Sequence, residues 1–446
     1  MSETSHTTRV LVIGGGFAGI GCAKALAGHD GIEVTLVDRN NYHQFQPLLY
    51  QVATSMLAVS DIAYPLRKVA RHHGNFDVKL GEVVAIDPVA RTATTADGQT
   101  YGGDYLVLAA GSQPNFFGTP GAGDHAFPLY SLDDATRLRS RVLGVFEEAD
   151  RDPGLIDEGA LNFVIVGGGP TGVEVAGALA ELVERTMTAE YHDLPVDRAK
   201  IHLIDHGHAL LAMFAERAHS YTAEVLEKDG VQLRFGTGVS EVGPGHVTLS
   251  DGSSIRTRCV VWGGGLKAAP LAGAAGLGQG AGGRIDVQRD LTVDGFPGVY
   301  VIGDVANIPT GKEDGKAHPQ LGSVAMQSGS WAGKNILADV RGEPRKPFKY
   351  LDKGTMAMIG RGAAVANVRG VELHGKVAFA AWLGVHAALM SGGQNRVDSF
   401  IQWAGDYFGK TAGPQLLDRS DEARIDWGED PADDATASTA PATGGS

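Results

Sequence analysis

Short runs of apolar, mostly β-branched residues recur along the chain, separated by stretches in which small and apolar residues fall at helical spacing. Short runs that are apolar throughout are typical of strands buried on both faces of a parallel sheet. Strands are predicted in this way at 33–37, 105–109, 201–204, 259–262 and 299–302. Because they alternate with helical segments, the pattern predicts an α/β fold.

Two segments of the chain repeat each other. RVLVIGGGFAGIGCAKAL at 9–26 resembles NFVIVGGGPTGVEVAGAL at 162–179, with glycines and apolar positions in the same order. Each begins as a buried strand, passes through glycines and continues as a helix. The repeat predicts two copies of one strand, turn and helix unit. Asp-Gly and Gly-Gly pairs elsewhere predict hairpins beside the parallel sheets, at 97–98, 251–252 and 282–283.

The first repeat carries a dinucleotide-binding fingerprint. Gly14 allows a tight turn, Gly16 lets the backbone approach a pyrophosphate, and Gly19 permits close packing of helix on strand. Asp38 ends the next predicted strand, where a carboxylate can accept hydrogen bonds from a ribose. A glycine-rich turn of purely structural use is the alternative, but strand, glycines, helix and acid all occur in the expected order.

The second repeat carries the same fingerprint in Gly167, Gly169 and Gly172. Asp205 ends the following strand and is predicted to bind a second ribose, although an inserted helix and loop place it farther from its glycines. A carboxylate repels a 2′-phosphate, and the next residue is His206 rather than an arginine. The second fingerprint therefore favours NADH over NADPH.

Composition narrows the classes of protein. A chain of 446 residues with 43% hydrophobic and 20% charged residues is long enough for two or three globular domains. A net charge of −14 without a basic cluster argues against a nucleic-acid partner. The two cysteines, Cys22 and Cys259, are too far apart for a redox pair, and the histidines lack companions at ligand spacing, so no metal site is predicted.

No targeting or spanning segment is expected from the pattern. The N-terminus lacks the basic, apolar and small-residue order of an export signal. The longest uncharged apolar stretch near the C-terminus, at 377–390, is shorter than the roughly 20 residues that cross a bilayer. These features predict a reducing, cytoplasmic location.

The run VYVIGD ending in Gly303 and Asp304 resembles the two-dinucleotide flavoprotein superfamily, in which such an aspartate binds the FAD ribitol and the glycine lets the flavin pyrophosphate approach. This resemblance implies two Rossmann-like domains, one for FAD and one for NADH. It implies that the FAD-binding domain is discontinuous, at 1–115 and 295–346, around an NADH-binding domain at 116–294. A C-terminal module at 347–410 with amphipathic helices and a largely disordered acidic tail at 411–446 complete the expected organisation.

Longer segments resemble the type II NADH:quinone oxidoreductases. These are NYHQFQPLLYQVA at 41–53, DIAYPLR at 61–67, GPTGVEVAG at 169–177, VWGGGL at 261–266 and KGTMAMIGR at 353–361, and the resemblance runs from about 9 to 408. It implies hydride transfer from NADH to non-covalent FAD and then electron transfer to a quinone, menaquinone or ubiquinone, without proton pumping. Disulfide and sulfide:quinone reductases need cysteines beside the flavin and are disfavoured.

The resemblance also implies site residues. For FAD it implies Gly14, Gly16, Phe17, Gly19, Asp38, Arg39, Gln46, Val83, Ala110, Gly111, Gly303, Asp304, Val324 and Ala325. For NADH it implies Gly167, Gly169, Pro170, Thr171, Gly172, Glu174, Asp205 and Gly264. Glu174, placed in the first turn of the second fingerprint helix, would orient the nicotinamide or relay protons; a carboxylate favoured by the helix dipole is the alternative. Gln46 and Gln327 would line the acceptor site, with a loop amide that caps backbone as the alternative for Gln46.

Two departures from the family pattern bear on the acceptor and on attachment. The quinone-side motif Ala-Gln-x-Ala-x-Gln-Gln reads GSVAMQS at 322–328, so Ser323 and Ser328 replace glutamines. The C-terminal helices resemble the family's membrane-surface anchor but carry little net positive charge. They would place the enzyme on the cytoplasmic face of the inner membrane. A homodimer interface and ordinary core packing are the alternative uses of an apolar stripe at Phe400, Ile401, Ala404 and Phe408.

Two other functions remain open, the first of them because of Ser323 and the weakly basic C-terminal helices. One is a soluble NADH-dependent flavoprotein that reduces another quinonoid or small molecule. The other is an NADH-sensing flavoprotein that acts through a protein partner.

Overall fold

Strands from two distant segments of the chain, within 8–108 and 292–301, meet in one six-stranded sheet. The computed structural model describes residues 7–311, 315–390, 392, 397, 401, 403 and 415–417. In spatial order, this first sheet contains Thr292–Val293, Phe296–Val301, Tyr105–Leu108, Thr8–Ile13, Ile32–Asp38 and Phe76–Leu80. All neighbours are parallel except the first pair. The central strands are buried on both faces because their residues are apolar at successive positions.

A second sheet of five parallel strands contains the strand that leads into the second fingerprint turn. Its order is Phe127–Pro128, Cys259–Trp262, Asn162–Val166, Lys200–Asp205 and Val231–Phe235. The predicted strands are confirmed in both sheets. The strand predicted at 299–302 begins earlier, at Phe296, because Pro297 and Gly298 interrupt the apolar pattern without interrupting the strand.

Short antiparallel sheets flank the two parallel sheets. The three-stranded ones are Val83–Asp87, Thr92–Thr95 and Thr100–Gly102; Val239–Gly243, His246–Leu249 and Ser254–Arg256; and Thr355–Gly360, Ala363–Val368 and Val371–His374. The hairpin turns predicted at 97–98 and 251–252 are confirmed. Antiparallel two-stranded pairs join Ser112–Pro114 to Leu266–Ala268 and Tyr42–Gln44 to Ala63–Pro65. A parallel pair joins Ile285–Asp286 to Ala306–Asn307.

Helices fill the connections between strands. The α-helices are Phe17–Leu26, Leu49–Ala53, Val59–Ile62, Leu66–Ala70, Ala122–His125, Leu132–Arg151, Pro170–Glu181, Thr188–Glu190, Glu216–Lys228, Leu271–Ala274, Gly322–Val340 and Lys376–Leu389. Single turns of 3₁₀-helix occur at Gln46–Leu48, Pro153–Ile156, Val196–Arg198, Ala281–Gly283 and Gly303–Val305, and Leu182–Met187 is a π-helix. Together with the sheets they form the predicted α/β fold.

Small residues bring the helix Gly322–Val340 against the first fingerprint helix. A Cβ on Gly329 would overlap the carbonyl oxygen of Ala18, and one on Gly333 would lie 2.7 Å from Ala25 Cβ. Glycine at these positions lets the two helix backbones approach closely.

The sheet that begins with Thr355–Gly360 packs on the second fingerprint helix, and the helix Lys376–Leu389 packs on that sheet. A Cβ on Gly177 would overlap the carbonyl oxygen of Ile359, and Ala357, Val365 and Trp382 belong to the same apolar core as the second sheet. Among the residues predicted to form the apolar stripe, only Ile401 is described, and it is 62% exposed. The other three, and the tail predicted at 411–446 apart from 415–417, lie outside the described residues.

Candidate dinucleotide sites

The two fingerprint turns have the same backbone geometry. The first glycine of each turn has a positive φ, +107° at Gly14 and +104° at Gly167. A Cβ on Gly14 would overlap the Ala109 carbonyl oxygen, and one on Gly167 would lie 2.6 Å from the Gly263 carbonyl oxygen. Both positions therefore need glycine, in conformation and in space.

The remaining fingerprint glycines differ in what surrounds them. A Cβ on Gly16 or Gly169 would meet no atom within 4 Å, and each residue is the N-cap of its helix. A Cβ on Gly19 or Gly172 would overlap the carbonyl oxygen of the first glycine of its turn. The second glycine thus presents open backbone at a helix N-terminus, where an anion binds favourably, and the third lets helix and turn pack together.

A carboxylate holds each glycine turn in place. Asp38 accepts hydrogen bonds from the backbone N–H groups of Gly15 at 2.5 Å and Asn40 at 2.6 Å. Asp205 accepts from Gly168 at 2.5 Å and Gly207 at 2.6 Å. The sequence indicated both acids as ribose partners but did not indicate these contacts. Burial raises the pKa of Asp38, although its backbone hydrogen bonds act in the opposite direction.

The first fingerprint opens on a pocket of about 460 Å³, within the range of cofactor sites. Of the residues expected to bind FAD, the pocket brings together Gly14, Gly16, Phe17, Asp38, Arg39, Gln46, Val83, Ala110, Gly111, Asp304 and Ala325. Gly19, Gly303 and Val324 do not line it. Gly303 has a φ of +69°, and its N–H donates to Ser328 Oγ at 3.1 Å, so it supports the pocket wall from behind.

Sequence reasoning missed a hydroxyl pair beside Asp304. Ser112 Oγ lies 3.1 Å from Asp304 Oδ2 and 2.8 Å from the Tyr130 hydroxyl oxygen, which also accepts from Ser112 N at 3.0 Å. Burial raises the pKa of the Asp304 carboxyl, and burial together with the charge of Asp304 raises that of Tyr130. Ser112 and Tyr130 belong to no motif, so no local signal could have indicated them.

Two glutamines in segment 44–46 donate hydrogen bonds to the backbone of the same tyrosine. Gln44 Nε2 donates to the Tyr130 carbonyl oxygen at 2.9 Å, and Gln46 Nε2 does so at 3.3 Å. Gln44 Oε1 also accepts from Leu132 N, in the first turn of the helix Leu132–Arg151. The Gln46 amide thus contacts backbone, as in the alternative considered for it, while the residue still lines the pocket.

Glu174 lies one turn farther along its helix than predicted. The helix begins at Pro170, so Glu174 is in the second turn and not in the first. Stabilisation by the helix dipole falls off within the first turn and does not account for this carboxyl. Glu174 Oε1 accepts from Met358 N at 3.2 Å, and burial raises its pKa to about 8. The structure therefore presents a carboxyl that keeps its proton at neutral pH.

The GSVAMQS segment turns its polar side chains toward protein. Gln327 donates to the Leu351 carbonyl oxygen at 3.0 Å and accepts from Leu351 N at 2.9 Å. Ser323 Oγ lies 2.8 Å from the Tyr350 hydroxyl oxygen. Ser328 is buried and accepts from Gly303 N. The sequence departures thus fix the helix against its surroundings, while Gly322 and Ala325 face the pocket.

The two cysteines have no chemical role in the described structure. Cys22 and Cys259 are free and buried, and burial raises the pKa of each thiol to about 12. Both therefore behave as small apolar residues. No cluster of metal-ligating side chains occurs within the described part of the chain, and none of its helices is long and apolar enough to cross a membrane.

Comparison with known proteins gives consistent relatives. Residues 8–329 match the family described as pyridine nucleotide-disulphide oxidoreductase. The chain is 37% identical over 426 residues to the type II NADH:quinone oxidoreductase NdhA of Mycobacterium tuberculosis, covering 92% of this chain and 89% of that protein. It is 30% identical over 380 residues to the type II NADH:quinone oxidoreductase of Staphylococcus aureus, and this match covers 83% of this chain and 92% of that protein.

The fold is similar to that of solved structures. NDH2 from Plasmodium falciparum in complex with NADH superposes with a TM-score of 0.83 at 19% identity, covering 92% of this chain and 100% of that one. The sulfide:quinone oxidoreductase of Aquifex aeolicus superposes with a TM-score of 0.69 at 18% identity, and the match covers 91% of this chain and 96% of that one.

Proposed function

Since the chain belongs to the pyridine nucleotide-disulphide oxidoreductase family, and within it to the type II NADH:quinone oxidoreductases, we propose that it oxidises NADH and reduces a quinone without pumping protons. The overall reaction converts NADH, a proton and a quinone to NAD⁺ and a quinol. Bound FAD supplies the chemistry that accepts a hydride from NADH and returns two electrons to the quinone. The observation that carries the proposal is the pair of fingerprint turns with matching geometry on two separate sheets.

The first site fits FAD. Its pocket combines the open backbone at Gly16, which suits a pyrophosphate, with the carboxyl of Asp38 on the ribose side and that of Asp304 farther along. Ser112 and Tyr130 would orient the Asp304 carboxyl toward the ribitol. We assign this site to the discontinuous domain at 1–115 and 295–346, because five of the six strands of its sheet lie in these two segments. The edge strand Thr292–Val293 of the same sheet precedes the predicted boundary at 295.

The second site is proposed to hold NADH, in the domain at 116–294. Pro170 and Thr171 begin the helix after the open backbone of Gly169, and Gly264 lies beside Gly167. Glu174 would hold a proton near the reacting groups, and Gln46 and Gln327 stay proposals as residues near the acceptor. The C-terminal module at 347–410 would complete the acceptor side.

The choice between NADH and NADPH is expected to respond to His206 more cleanly than to Asp205. His206 is 91% exposed, whereas Asp205 holds two backbone N–H groups of the turn. We expect His206→Arg to raise kcat/KM for NADPH about tenfold, because a guanidinium pairs with a 2′-phosphate. Asp205→Arg should lower kcat/KM for both coenzymes, since the turn loses its acceptor.

Steady-state kinetics with the two coenzymes measure this preference. His72→Arg makes the same change of side chain at an exposed position near the first sheet and should leave the preference unchanged. An unaltered ratio in His206→Arg would place the 2′-position away from this residue.

We also propose that the chain attaches to the cytoplasmic face of the inner membrane, where NADH and a membrane quinone are both accessible. The helix Lys376–Leu389 carries exposed apolar residues, with Val377 66%, Val385 43% and Leu389 44% exposed, while Trp382 is buried beneath them. Apolar residues on one face of a helix suit an interfacial position. If this apolar face does not bind to the membrane, we propose that it forms the subunit interface of a homodimer.

Liposome sedimentation tests the attachment. We expect the double variant Val377→Asp, Val385→Asp to lose most of its binding to liposomes containing anionic phospholipid, because both charges would enter the apolar boundary. Val89→Asp, at a 74% exposed position in the turn between Val83–Asp87 and Thr92–Thr95, is the control. If the double variant instead dissociates a dimer in analytical ultracentrifugation and sediments with liposomes as before, the face is a subunit contact.

Purification and assay test the function as a whole. The protein should show a flavin spectrum and should oxidise NADH in the presence of a short-chain menaquinone or ubiquinone analogue at many turnovers per second. A protein without flavin would contradict the proposal. Turnover with an artificial acceptor but with no quinone would instead support a reductase of another small molecule.

A further inference from the structure

A turn between the two sheets has a phenylalanine where its backbone favours asparagine or glycine. Thr119 N donates to the Phe116 carbonyl oxygen at 2.9 Å, which closes a four-residue turn. Its two central residues both have positive φ, +52° at Phe117 and +73° at Gly118. Positive φ at both central positions is the type I′ pattern, for which Asn-Gly and Gly-Gly are the preferred pairs. The residue at 117 is therefore strained by its own backbone.

Packing within the protein does not offset this strain. The Phe117 side chain is 67% exposed. Its neighbour Phe116 packs on Trp262, with 5.5 Å between the ring centroids. An aromatic residue held in an unfavourable conformation without being buried breaks a local rule with no structural gain, which is typical of functional positions.

Hydrogen bonds hold this turn on a glycine loop of the second domain. Phe117 N donates to Asn115 Oδ1 at 3.0 Å, Asn115 N donates to the Gly265 carbonyl oxygen at 3.0 Å, and Trp262 Nε1 donates to the Asn115 carbonyl oxygen at 2.9 Å. The phenyl ring lies over Gly265, since a Cβ there would be 3.2 Å from Phe117 Cζ. These hydrogen bonds fix the backbone of the turn at loop 263–265, and the ring contacts Gly265 there.

Loop 263–265 borders the second fingerprint on the side away from Asp205. A Cβ on Gly167 would lie 2.6 Å from the Gly263 carbonyl oxygen and 3.2 Å from Gly264 Cα. In the sheet, Cys259–Trp262 and Lys200–Asp205 flank the fingerprint strand on opposite sides. A dinucleotide crosses the fingerprint with its adenosine ribose at the acidic residue, so its other half lies on the side of the loop.

We propose that Phe117 covers the nicotinamide half of bound NADH, and that the phenyl ring exposed in the free protein is buried by the coenzyme. The inference rests on the proposed function and adds a binding residue to it. The strained turn holds the ring against Gly265, whose lack of a side chain makes room for the ring itself, and the rest of the side chain, 67% exposed, stays open to a planar group. An aromatic face suits a planar ring of this kind.

The variant Phe117→Asn tests the proposal, because asparagine is preferred at this turn position and lacks the ring. We expect KM for NADH to rise about tenfold, the loss of a buried aromatic contact. The inhibition constant of ADP, which carries only the adenosine half, should stay unchanged. The Tm should be equal to that of the wild type or higher, because the strain is relieved. Phe117→Tyr should keep the KM of the wild type.

Arg369 provides a matched control. It has the same φ, +52°, and precedes Gly370, at +86°, in the two-residue hairpin between Ala363–Val368 and Val371–His374. Arg369→Asn relieves the same strain at a distance from the glycine loop and should leave KM for NADH unchanged.

Two results would overturn the inference. One is an unchanged KM for NADH in Phe117→Asn, and the other is a parallel rise in the ADP inhibition constant with a lower Tm, which indicates general disturbance. A wild-type protein that fails to oxidise NADH would contradict the proposed function instead. Calorimetric titration of NAD⁺ into wild type and Phe117→Asn would then still decide whether the ring contacts the coenzyme.

Discussion

Gly19→Ala is expected to yield a protein that retains no FAD, whereas Gly172→Ala is expected to yield a yellow protein whose kcat/KM for NADH is at least about 100-fold lower. In each variant the added Cβ would overlap the carbonyl oxygen of the first fingerprint glycine. The helix must then move away from its turn, and the N-terminus that receives the pyrophosphate is displaced with it. The chemical change is the same, so the difference between the variants reports which dinucleotide each turn binds.

Flavin content per protein, read from the absorbance spectrum, and NADH kinetics measure the pair. Gly144→Ala is a suitable control, since this glycine lies inside the helix Leu132–Arg151 and the nearest atom to an added Cβ is 3.9 Å away. It should leave both properties unchanged and should stabilise the helix slightly. If Gly172→Ala loses FAD while Gly19→Ala retains it, the two sites have been assigned in the wrong order.

The features that the sequence could predict are those with a local signal. The strands that precede the two fingerprints were predictable because a strand buried on both faces is a nearly continuous apolar run, here at 10–13 and 163–166. The roles of the fingerprint glycines were predictable because each follows from the absence of a side chain at a fixed place in one turn. Asp205 could be found in spite of its unusual spacing, because the end of its strand marks its position.

Features that depend on partners far along the chain could not be predicted in this way. Ser112 contacts Asp304 across 192 positions of the chain, Tyr130 contacts Ser112, and neither has a motif of its own. Gln327 was expected at the acceptor, but its amide is satisfied by the backbone of Leu351, which no periodicity of the helix indicates. Side-chain orientation is fixed by packing between elements, and one sequence does not contain that information in a local pattern.

The same limit applies to the strain at Phe117. An Asn-Gly pair would have signalled the turn, but Phe117-Gly118 does not, so the positive φ is visible only in the structure. A position where sequence and backbone disagree is therefore a place to look for function.

Glu174 is expected to set the alkaline limit of quinone reduction. Burial raises its pKa to about 8, so the carboxyl carries a proton at pH 7 and loses it above pH 8. Forming a quinol consumes protons, and we propose that this carboxyl delivers one. We therefore expect kcat with a quinone to fall above pH 8 in the wild type. In Glu174→Gln, kcat at pH 7 should be about 100-fold lower and the alkaline fall should disappear.

Stability should respond to the same ionisation. The pKa in the folded protein lies above the ordinary value of 4.5, so the unfolded chain releases this proton at lower pH than the folded one does. Folding is therefore progressively disfavoured as the pH rises from about 4.5 to about 8. We expect Glu174→Gln to raise Tm relative to the wild type at pH 9, and the difference to shrink at pH 5.

Single-turnover reduction of FAD by NADH separates this role from coenzyme binding, and it should change by no more than a few-fold in Glu174→Gln. Glu181→Gln is the matched control, because Glu181 lies on the same helix, burial raises its pKa as well, and it pairs with Arg185 and Arg361. This control should keep the alkaline fall in kcat. An alkaline fall that persists in Glu174→Gln would assign the proton to another group, and slow reduction of FAD in that variant would mean that Glu174 positions NADH instead.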